Sequence, residues 1–368
     1  MGIGKRARQA AIVGLIVLAA AAFAAEEASP AGPDIFAQAI AGWAKQERIQ
    51  RGFAVVRRDG QALGKWVLGK TDPDAPVHLA SLSKAITAAC VATLIRDGKL
   101  DFETPVAAAL VRFIARYGKP RDQLLAGVTV AQLLTHRAGF ATSDDDDPAS
   151  GRNLDRYLKT HTSRAPPLPS LVAATLQAKL VHPPGARFAY GNATYLLLGA
   201  IIEEASGTPY LAYCSDAVLK PLGITADFEP AWQVSSSMGG WRMRGEDYLK
   251  FLGLLAADDE RLGGRVKAWM LDPAAKSVPS DPTVWYGLGT YLRKAQRGVD
   301  IWHWGSWDYT PERGEKGTVA TSFAAYAARL ADGTAWFVRA EPRVEEGRPR
   351  QALVDRLLNA HRSATTAE

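Results

Sequence analysis

The chain has 368 residues, 47% of them hydrophobic, which is enough to bury a large core as one large domain or as two lobes. Its formal net charge is +6, from 44 basic and 38 acidic residues. Three of the basic residues lie in the first 24 positions, and without that segment the balance falls to 41 basic against 38 acidic residues, or +3. Because no Lys/Arg cluster is interleaved with aromatic residues, nucleic-acid binding has little support.

The segment 1–24 has the pattern of a secretory signal peptide. Three basic residues precede an uncharged, mostly apolar run from Ala10 to Ala25, and small residues on either side of Phe23 suit a cleavage site. As a helix this run spans about 24 Å, less than the hydrocarbon core of roughly 30 Å, so an uncleaved membrane anchor is the less favoured alternative. We expect a periplasmic or secreted protein with no stable membrane span after cleavage. The mature chain, residues 25–368, is expected to form a single domain.

In chain order, a helix comes first and a pair of strands follows. Apolar spacing over 34–50 predicts an amphipathic helix. Two β-rich runs, Phe53–Arg57 and Leu63–Leu68, are joined across Asp59-Gly60, which is a strong signal for the tight turn of an antiparallel hairpin. The periodicity then becomes mainly helical. The predicted helices of this part span 82–96, 129–136, 194–206 and a further segment that ends near Lys220.

β-strand character returns in the last third of the chain. The predicted strands span 284–293, 299–304, 318–329 and 334–340, and a final helix spans 349–361. This order predicts an α+β fold: an antiparallel β-sheet flanked by the N- and C-terminal helices, with an inserted all-α lobe. The sheet lobe would comprise 34–80 and 280–361, and the helical lobe 81–279.

The chain has two cysteines, and both fall in predicted helices. Cys90 and Cys214 could pair in an oxidising compartment, but cysteines among alanines and leucines on helices are more often buried small hydrophobic residues. We therefore favour two separate buried thiols over a disulfide. Neither cysteine has the nearby histidine or electropositive setting that would indicate a catalytic thiol.

The string Ser81-Leu82-Ser83-Lys84 places a hydroxyl one helical turn before an amine. Residues three apart share a face of a helix, so the Ser81 oxygen and the Lys84 nitrogen can come within hydrogen-bonding distance. The amine can then accept the hydroxyl proton and activate the serine. This SxxK pattern alone is short enough to arise by chance.

Two further motifs follow in order. Tyr190-Gly191-Asn192 lies 109 residues after Ser81, and His303-Trp304-Gly305 lies 113 residues after Tyr190. With the segments around them, these motifs resemble the serine β-lactamase-like family, which includes class C β-lactamases, D-alanyl-D-alanine carboxypeptidases and related esterases. The resemblance runs from about Phe53 to Gly333. It includes the stretches 128–140, 188–210, 221–223 and 286–289.

The resemblance implies roles for the motif residues. Ser81 would be the nucleophile of an acyl transfer, and Tyr190 the general base, although the residues alone leave Lys84 open as the base because both groups have pKa values near 10. We expect a Lys84 ammonium to favour a Tyr190 phenolate. Asn192 would orient Lys84 or a substrate amide. His303 would donate a hydrogen bond to Tyr190 or to substrate.

The resemblance also implies that the oxyanion would be stabilised by two backbone N–H groups, those of Ser81 and Ser306. Gly305 is expected to leave room for a substrate that lies along the strand. Trp304 departs from the family pattern, which has a threonine, serine or glycine at that position, and this puts β-lactam turnover in doubt. The tryptophans around it could line the pocket or pack into the core. The acidic run Asp144–Asp147 is expected to be a solvated loop.

The sequence thus predicts an exported serine hydrolase that forms an acyl-enzyme with a small amide, β-lactam or ester substrate. The alternative is a non-catalytic module that keeps the fold to bind cell-wall peptides. The histidines other than His303 lack ligand spacing, so neither a metal nor another cofactor is expected.

Overall fold

The structure is a computed structural model that describes residues 34–142, 147, 149, 168–228, 236–309 and 321–366. The predicted signal peptide, residues 1–24, lies outside the described residues, as do Asp144–Asp146 of the acidic run. The strands are β1 Arg51–Arg58, β2 Gln61–Leu68, β3 Val77–His78, β4 Arg242–Met243, β5 Ser277–Val278, β6 Asp281–Gly287, β7 Thr290–Lys294, β8 Val299–Tyr309, β9 Thr321–Arg329 and β10 Thr334–Glu341. The helices are α1 Asp34–Gln46, α2 Ser83–Arg96, α3 Val106–Ala109, α4 Val111–Tyr117, α5 Gln123–Ala126, α6 Val130–Leu134, α7 Leu168–Leu176, α8 Ala193–Ser206, α9 Tyr210–Cys214, α10 Gly245–Gly253, α11 Gly264–Leu271 and α12 Arg348–Thr366.

Eight of the described strands form one antiparallel sheet, in the order β2-β1-β10-β9-β8-β7-β6-β5. The hairpin predicted across Asp59-Gly60 is present as β1 and β2, with left-handed φ angles of 48° and 82° at the two turn residues. The first and last helices, α1 and α12, pack against each other. The Trp43 indole of α1 donates a hydrogen bond of 2.8 Å to the carbonyl of Pro349 in α12. The predicted α+β architecture is therefore confirmed.

The centre of the sheet is covered on both faces. Five consecutive residues of β1, from Gly52 to Val56, are buried, a pattern that requires packing on each side of the strand. Helix α10, which begins at Gly245, packs against one face of the sheet. A β-carbon there would lie 3.0 Å or less from the rings of Phe53 and Phe337, so glycine allows α10 to approach the sheet closely.

Helix α2 runs through the middle of the molecule, and every residue from Ser83 to Ile95 is buried. A helix that is apolar on all sides is expected to be enclosed by other elements, as this one is. Cys90 of α2 and Cys214 of α9 are joined by a disulfide, and neither residue is accessible to solvent. The expectation of two separate thiols is therefore wrong. Sequence periodicity placed each cysteine on a helix but could not show that the two helices cross at these positions.

The structure also corrects two of the predicted elements. The predicted strand 284–293 is a hairpin, β6 and β7, which turns at Leu288 and Gly289 with left-handed φ angles of 46° and 75°. Position 289 requires glycine because a β-carbon would lie 2.5 Å from the backbone of Lys84 and Ala85 at the start of α2. The inserted lobe is not purely helical, since β4 pairs with β3 in a small second sheet. This small sheet anchors the segment that leads into Ser81.

Candidate active site

Ser81 lies on a tight turn between β3 and α2. Its neighbour Ala80 has a left-handed φ of 46°, which is unusual for a residue with a side chain, and residues Ala80–Leu82 form a single 3-10 turn. Backbone strain of this kind persists only where the surrounding structure enforces it, and it is common at active sites. Here the Leu79 N–H donates to the Trp241 carbonyl at 2.9 Å and so holds the turn from its N-terminal side. Helix α2 begins at Ser83, so the SxxK string crosses from the 3-10 turn into the helix.

The Lys84 amine is fully buried and has three hydrogen-bonding partners. Its Nζ lies 3.0 Å from Ser81 Oγ, 2.8 Å from Asn192 Oδ1 and 2.9 Å from the carbonyl oxygen of Met238. Burial lowers the pKa of Lys84 to about 7, while attraction to the carboxylate of Asp147 acts in the opposite direction. Near neutral pH a substantial fraction of this amine is therefore uncharged.

The Tyr190 ring completes the group around Ser81. Its hydroxyl interacts with the Ser81 side chain, and the Lys84 Nζ lies 5.1 Å from the ring centroid. The structure thus brings the hydroxyl, the amine and the phenol into one cluster. Burial raises the pKa of Tyr190 above its usual value, with a smaller opposite effect from the interaction with Ser81. The expected phenolate is therefore contradicted, because the desolvation of the ring outweighs any stabilisation by the nearby amine.

Asn192 contacts Lys84 through its side-chain oxygen, as expected for an orienting residue. The amide nitrogen of the same side chain donates to the Ala149 carbonyl at 2.9 Å, which fixes the direction of the oxygen. The backbone N–H of Asn192 donates to Asp147 Oδ2, also at 2.9 Å. Asp147 is only 4% exposed, so the solvated-loop interpretation is wrong for this residue of the acidic run.

His303 is buried and held in a neutral form. Its Nδ1 donates to the Trp304 carbonyl at 2.5 Å, and its Nε2 accepts from the Tyr286 hydroxyl at 3.1 Å. Burial and, to a smaller extent, the nearby Lys84 amine lower the pKa of His303 to about 3. Both ring nitrogens have other partners, so the hydrogen bond expected from His303 to Tyr190 is not made, and the alternative bond to substrate stays a prediction.

Gly305 packs directly against the turn that carries Ser81. A β-carbon at this position would overlap the Leu79 carbonyl and lie 3.1 Å from the Ser81 nitrogen. Glycine is therefore required at position 305 by the contact between β8 and the turn. The expected reason, room for a substrate that lies along the strand, is not the one that the structure shows. The pairing between β7 and β8 ends at Tyr291 and Trp302. Beyond this pair, the edge of β8 that β7 leaves open lies against the Ser81 turn, as the contact of Gly305 shows.

Ser306 and Trp304 both contact Arg350 of α12. The guanidinium donates to Ser306 Oγ at 3.1 Å and lies 5.1 Å from the centre of the Trp304 ring, which is stacked on Tyr326 at 4.2 Å. Trp302 is 4% exposed and stacks on Tyr291. Trp302 therefore packs in the core, as the core interpretation predicted, whereas Trp304 is only partly buried and contacts Tyr326 and Arg350.

Sequence reasoning missed three residues around the motifs. His136 is buried, and its Nδ1 lies 3.0 Å from Thr194 Oγ1 and accepts the Gly191 N–H at 3.4 Å, so it supports the Tyr190-Gly191-Asn192 segment. Tyr286 orients His303, and Asp147 holds Asn192. The residue types carried no local signal, although His136 and Tyr286 lie within the stretches that resemble the family.

Among the described residues, no helix combines the length and apolar character needed to cross a membrane. The same parts of the chain contain no group of three or more His, Cys, Asp or Glu side chains arranged to hold a metal ion.

The sheet, its flanking helices and the inserted lobe define a protein of the β-lactamase and transpeptidase fold. The chain belongs to the β-lactamase family, since the family model described as Beta-lactamase matches residues 36–323. It is similar to Protein flp of Staphylococcus aureus, with 28% identity over 157 residues that cover 42% of this chain and 28% of flp. The match therefore spans less than a third of the length of that relative.

Solved structures that share the fold include EstCE1 and a D-amino acid amidase. EstCE1, described as a hydrolase with promiscuous acyltransferase activity, is similar with a TM-score of 0.69 and 16% identity over 89% of this chain and 98% of its own. The D-amino acid amidase of Ochrobactrum anthropi, in complex with L-phenylalanine amide, is similar with a TM-score of 0.67 and 17% identity over 90% of this chain and 99% of its own. At these identities the likeness shows the fold alone.

Proposed function

We propose that this protein is an exported serine hydrolase that acts through an acyl-enzyme on small ester or amide substrates. The observation that carries the proposal is the contact of 3.0 Å between Ser81 Oγ and the Nζ of Lys84, whose pKa burial lowers to about 7. A serine is a weak nucleophile unless a base removes its proton. A base that titrates close to the working pH is the most effective for that step.

Lys84 is the base in this proposal. As a free amine, Lys84 donates its two N–H groups to Asn192 Oδ1 and to the Met238 carbonyl oxygen. The lone pair of its nitrogen can then accept the proton of the Ser81 hydroxyl. Proton transfer from Ser81 Oγ to Lys84 Nζ accompanies formation of the bond between Oγ and the substrate carbonyl carbon. The ammonium that results is stabilised by the same two oxygens and by Asp147.

Tyr190 serves as a proton donor and not as the initial base. Burial keeps its phenol protonated, and the hydroxyl lies next to Ser81, where the leaving group departs. The Tyr190 phenol donates its proton to the leaving group, and the Lys84 ammonium then donates a proton to the Tyr190 oxygen. Water then attacks the acyl-enzyme by the reverse route and releases the acyl product.

The developing oxyanion is held by the N–H groups of Ser81 and Ser306. The close packing of Gly305 against the Ser81 turn supports this assignment, because it places the two nitrogens on adjoining segments of chain. Removal of one such donor typically reduces kcat by about 10²- to 10³-fold. The position of Ser81 just before α2 adds a favourable partial positive charge.

The substrate preference follows from the third motif. His303 is neutral, and Trp304 has no hydroxyl, so the two residues that precede Gly305 offer neither a cation nor a hydroxyl donor to a substrate carboxylate. That favours esters and simple amides over β-lactams, whose carboxylate requires such a partner. The fold relatives named as an amidase and as a hydrolase with acyltransferase activity are consistent with this preference.

A fluorophosphonate probe tests the nucleophile. The wild-type protein should become labelled, and Ser81→Ala should not. Ser83→Ala is the matched control, because its buried hydroxyl lies two residues away and accepts the Trp241 N–H at 3.2 Å. Labelling that persists in Ser81→Ala would contradict the proposal. A comparison of p-nitrophenyl butyrate with nitrocefin then separates esterase action from β-lactam hydrolysis.

The binding-module alternative makes a different prediction. A non-catalytic protein would bind cell-wall peptides without a covalent adduct, so the intact mass after exposure to the probe would remain that of the free protein. Any Ser81-dependent adduct excludes it.

Export is part of the proposal and is supported by the segment 1–24 and by the disulfide between Cys90 and Cys214, since disulfides persist mainly in oxidising compartments. N-terminal sequencing of the protein recovered from its native host tests it. A mature chain that begins near residue 25 supports cleavage, and a chain that keeps the segment supports the anchored alternative.

A further inference from the structure

Asp147 is a buried acid that the motifs do not account for. It is 4% exposed, and its two oxygens accept backbone N–H groups at 2.9 Å, Oδ1 from Ala149 and Oδ2 from Asn192. A carboxylate is seldom buried without such partners, because its desolvation is costly. The hydrogen bonds of Asp147 therefore connect Asp147 and Ala149 to the second motif.

The position of Asn192 at the start of α8 shows the structural effect of these hydrogen bonds. Asn192 is the N-cap residue of α8, and asparagine in that position normally uses its side chain to satisfy the first N–H groups of the helix. The Asn192 side chain makes no capping hydrogen bond. Its oxygen contacts Lys84 and its nitrogen contacts the Ala149 carbonyl. Asp147 provides the cap instead, because its carboxylate accepts the Asn192 N–H at 2.9 Å at the positive end of α8.

We propose that Asp147 is a positioning residue for hydrolysis: it caps α8 from outside the helix and thereby leaves the Asn192 amide free to hold Lys84 against Ser81. The inference deepens the proposed function and rests on it. Asp147 acts on Asn192 in two ways, directly through the backbone N–H and indirectly through Ala149, whose carbonyl fixes the amide orientation. It does not touch the reacting atoms.

The charge of Asp147 has a second consequence for Lys84. Attraction to this carboxylate raises the pKa of Lys84 against the larger lowering by burial. The rings of Tyr190 and Tyr195 also face the amine, with centroids at 5.1 and 5.8 Å. The imidazoles of His136 and His303 interact with it electrostatically, and burial keeps both of them neutral.

The variant Asp147→Asn keeps the shape and removes the charge. We expect the plateau rate of fluorophosphonate labelling at alkaline pH to fall about tenfold or more, because Asn192 and Lys84 lose their alignment. We also expect the acid limb of the rate profile to move to lower pH, because Lys84 becomes easier to deprotonate. A fall in rate with no movement of the limb would overturn the proposal, since general damage to the fold produces that result.

Asp122→Asn is the matched control. Asp122 caps α5 and also accepts two backbone N–H groups, from Leu124 at 3.0 Å and Leu180 at 3.1 Å, but it has no contact with the site. Its neutral variant should leave both the plateau rate and the acid limb unchanged. A similar shift in both variants would remove the case for Asp147.

A double-mutant cycle tests the electrostatic attraction between Asp147 and Lys84 without any turnover. The loss of stability caused by Asp147→Asn is measured by urea unfolding with Lys84 intact and in the Lys84→Met background, at pH 6 and at pH 9. We expect a larger loss with Lys84 intact at pH 6, where the amine is charged, and a smaller difference at pH 9. Equal losses in both backgrounds at pH 6 would overturn the proposal, even if Ser81→Ala had confirmed the nucleophile. Conversely, a labelled Ser81→Ala variant would refute the hydrolase proposal and leave this coupling measurable.

Discussion

Gly305 of β8 packs against the backbone of Leu79 so closely that a β-carbon at position 305 would overlap the Leu79 carbonyl oxygen. This contact holds β8, which carries the proposed oxyanion donor Ser306, against the turn that contains Ser81. The geometry of the site therefore depends on a residue that takes no part in the chemistry.

The first prediction concerns that contact. Gly305→Ala should lower the free energy of unfolding by about 1–3 kcal/mol, because an inserted methyl group must push two backbone segments apart. It should also abolish fluorophosphonate labelling, which requires the two segments to stay within hydrogen-bonding distance of one substrate. Gly253→Ala is the control, since a β-carbon there meets no atom within 4 Å, and it should be neutral or slightly stabilising. Full labelling in Gly305→Ala would contradict the proposed role of the contact.

The second prediction is the pH dependence of labelling. Only the free amine of Lys84 can accept the Ser81 proton, so the rate should rise with pH and level off above a midpoint of about 7. Lys84→Met should lose the activity. Lys267 is a matched control: it is also buried, its pKa is lowered by burial to about 8, and its Nζ donates to the carbonyl oxygens of Leu254 and Ala256, just after α10. If Lys267→Met moved the midpoint, or if the wild-type midpoint lay near 10, the assignment of Lys84 would be wrong.

The linkage of Lys84 to stability has a definite sign. Its pKa is lower in the folded protein than in the unfolded chain, so the unfolded chain binds more protons between about pH 7 and 10.5. The Lys84 contribution should make the protein more stable as pH rises through this interval. The measurement is the urea midpoint of the wild type relative to Lys84→Met across these pH values, and a relative midpoint that falls with pH would refute the lowered pKa.

The third prediction concerns the neutral histidine. His303→Lys would place a cation in the third motif, but the side chain at this position is 3% exposed and lies near another amine, that of Lys84. An unpaired buried ammonium should destabilise the protein by at least about 3 kcal/mol. Nitrocefin turnover should not increase. His182→Lys, at a half-buried position outside the site, should be close to neutral in thermal unfolding. A stable His303→Lys variant that gained β-lactam turnover would show that the site accepts a cation.

The fourth prediction concerns the disulfide that joins α2 to α9. Cys90→Ala combined with Cys214→Ala should lower the free energy of unfolding by about 2–5 kcal/mol, because the bond closes a long loop in the unfolded chain. The partners are 124 residues apart in sequence. Urea unfolding with and without dithiothreitol provides the measurement. The reductant should destabilise the wild type and leave the double variant unchanged, and identical curves for the two proteins in oxidising buffer would show that the bond does not form.

Local patterns were sufficient for most of the framework. The Asp59-Gly60 turn, the strands that became β9 and β10, and the terminal helices follow from turn chemistry and from apolar periodicity, which depend on near neighbours in the chain. The hairpin at Leu288 and Gly289 was missed because the residues on both sides are β-formers, and only the approach of α2 requires a reversal there.

The sequence by itself determined the family, the order of the three motifs and the pairing of a hydroxyl with an amine one turn apart, since these depend on residue identity and short spacing. Tertiary structure decided the electrostatics. The pKa of Lys84 falls and that of Tyr190 rises because both side chains are enclosed, and burial is a property of the folded molecule that no local pattern contains. The role of Asp147 and the bond between Cys90 and Cys214 emerged for the same reason, because each joins segments that are far apart in the chain and meet only when the core forms.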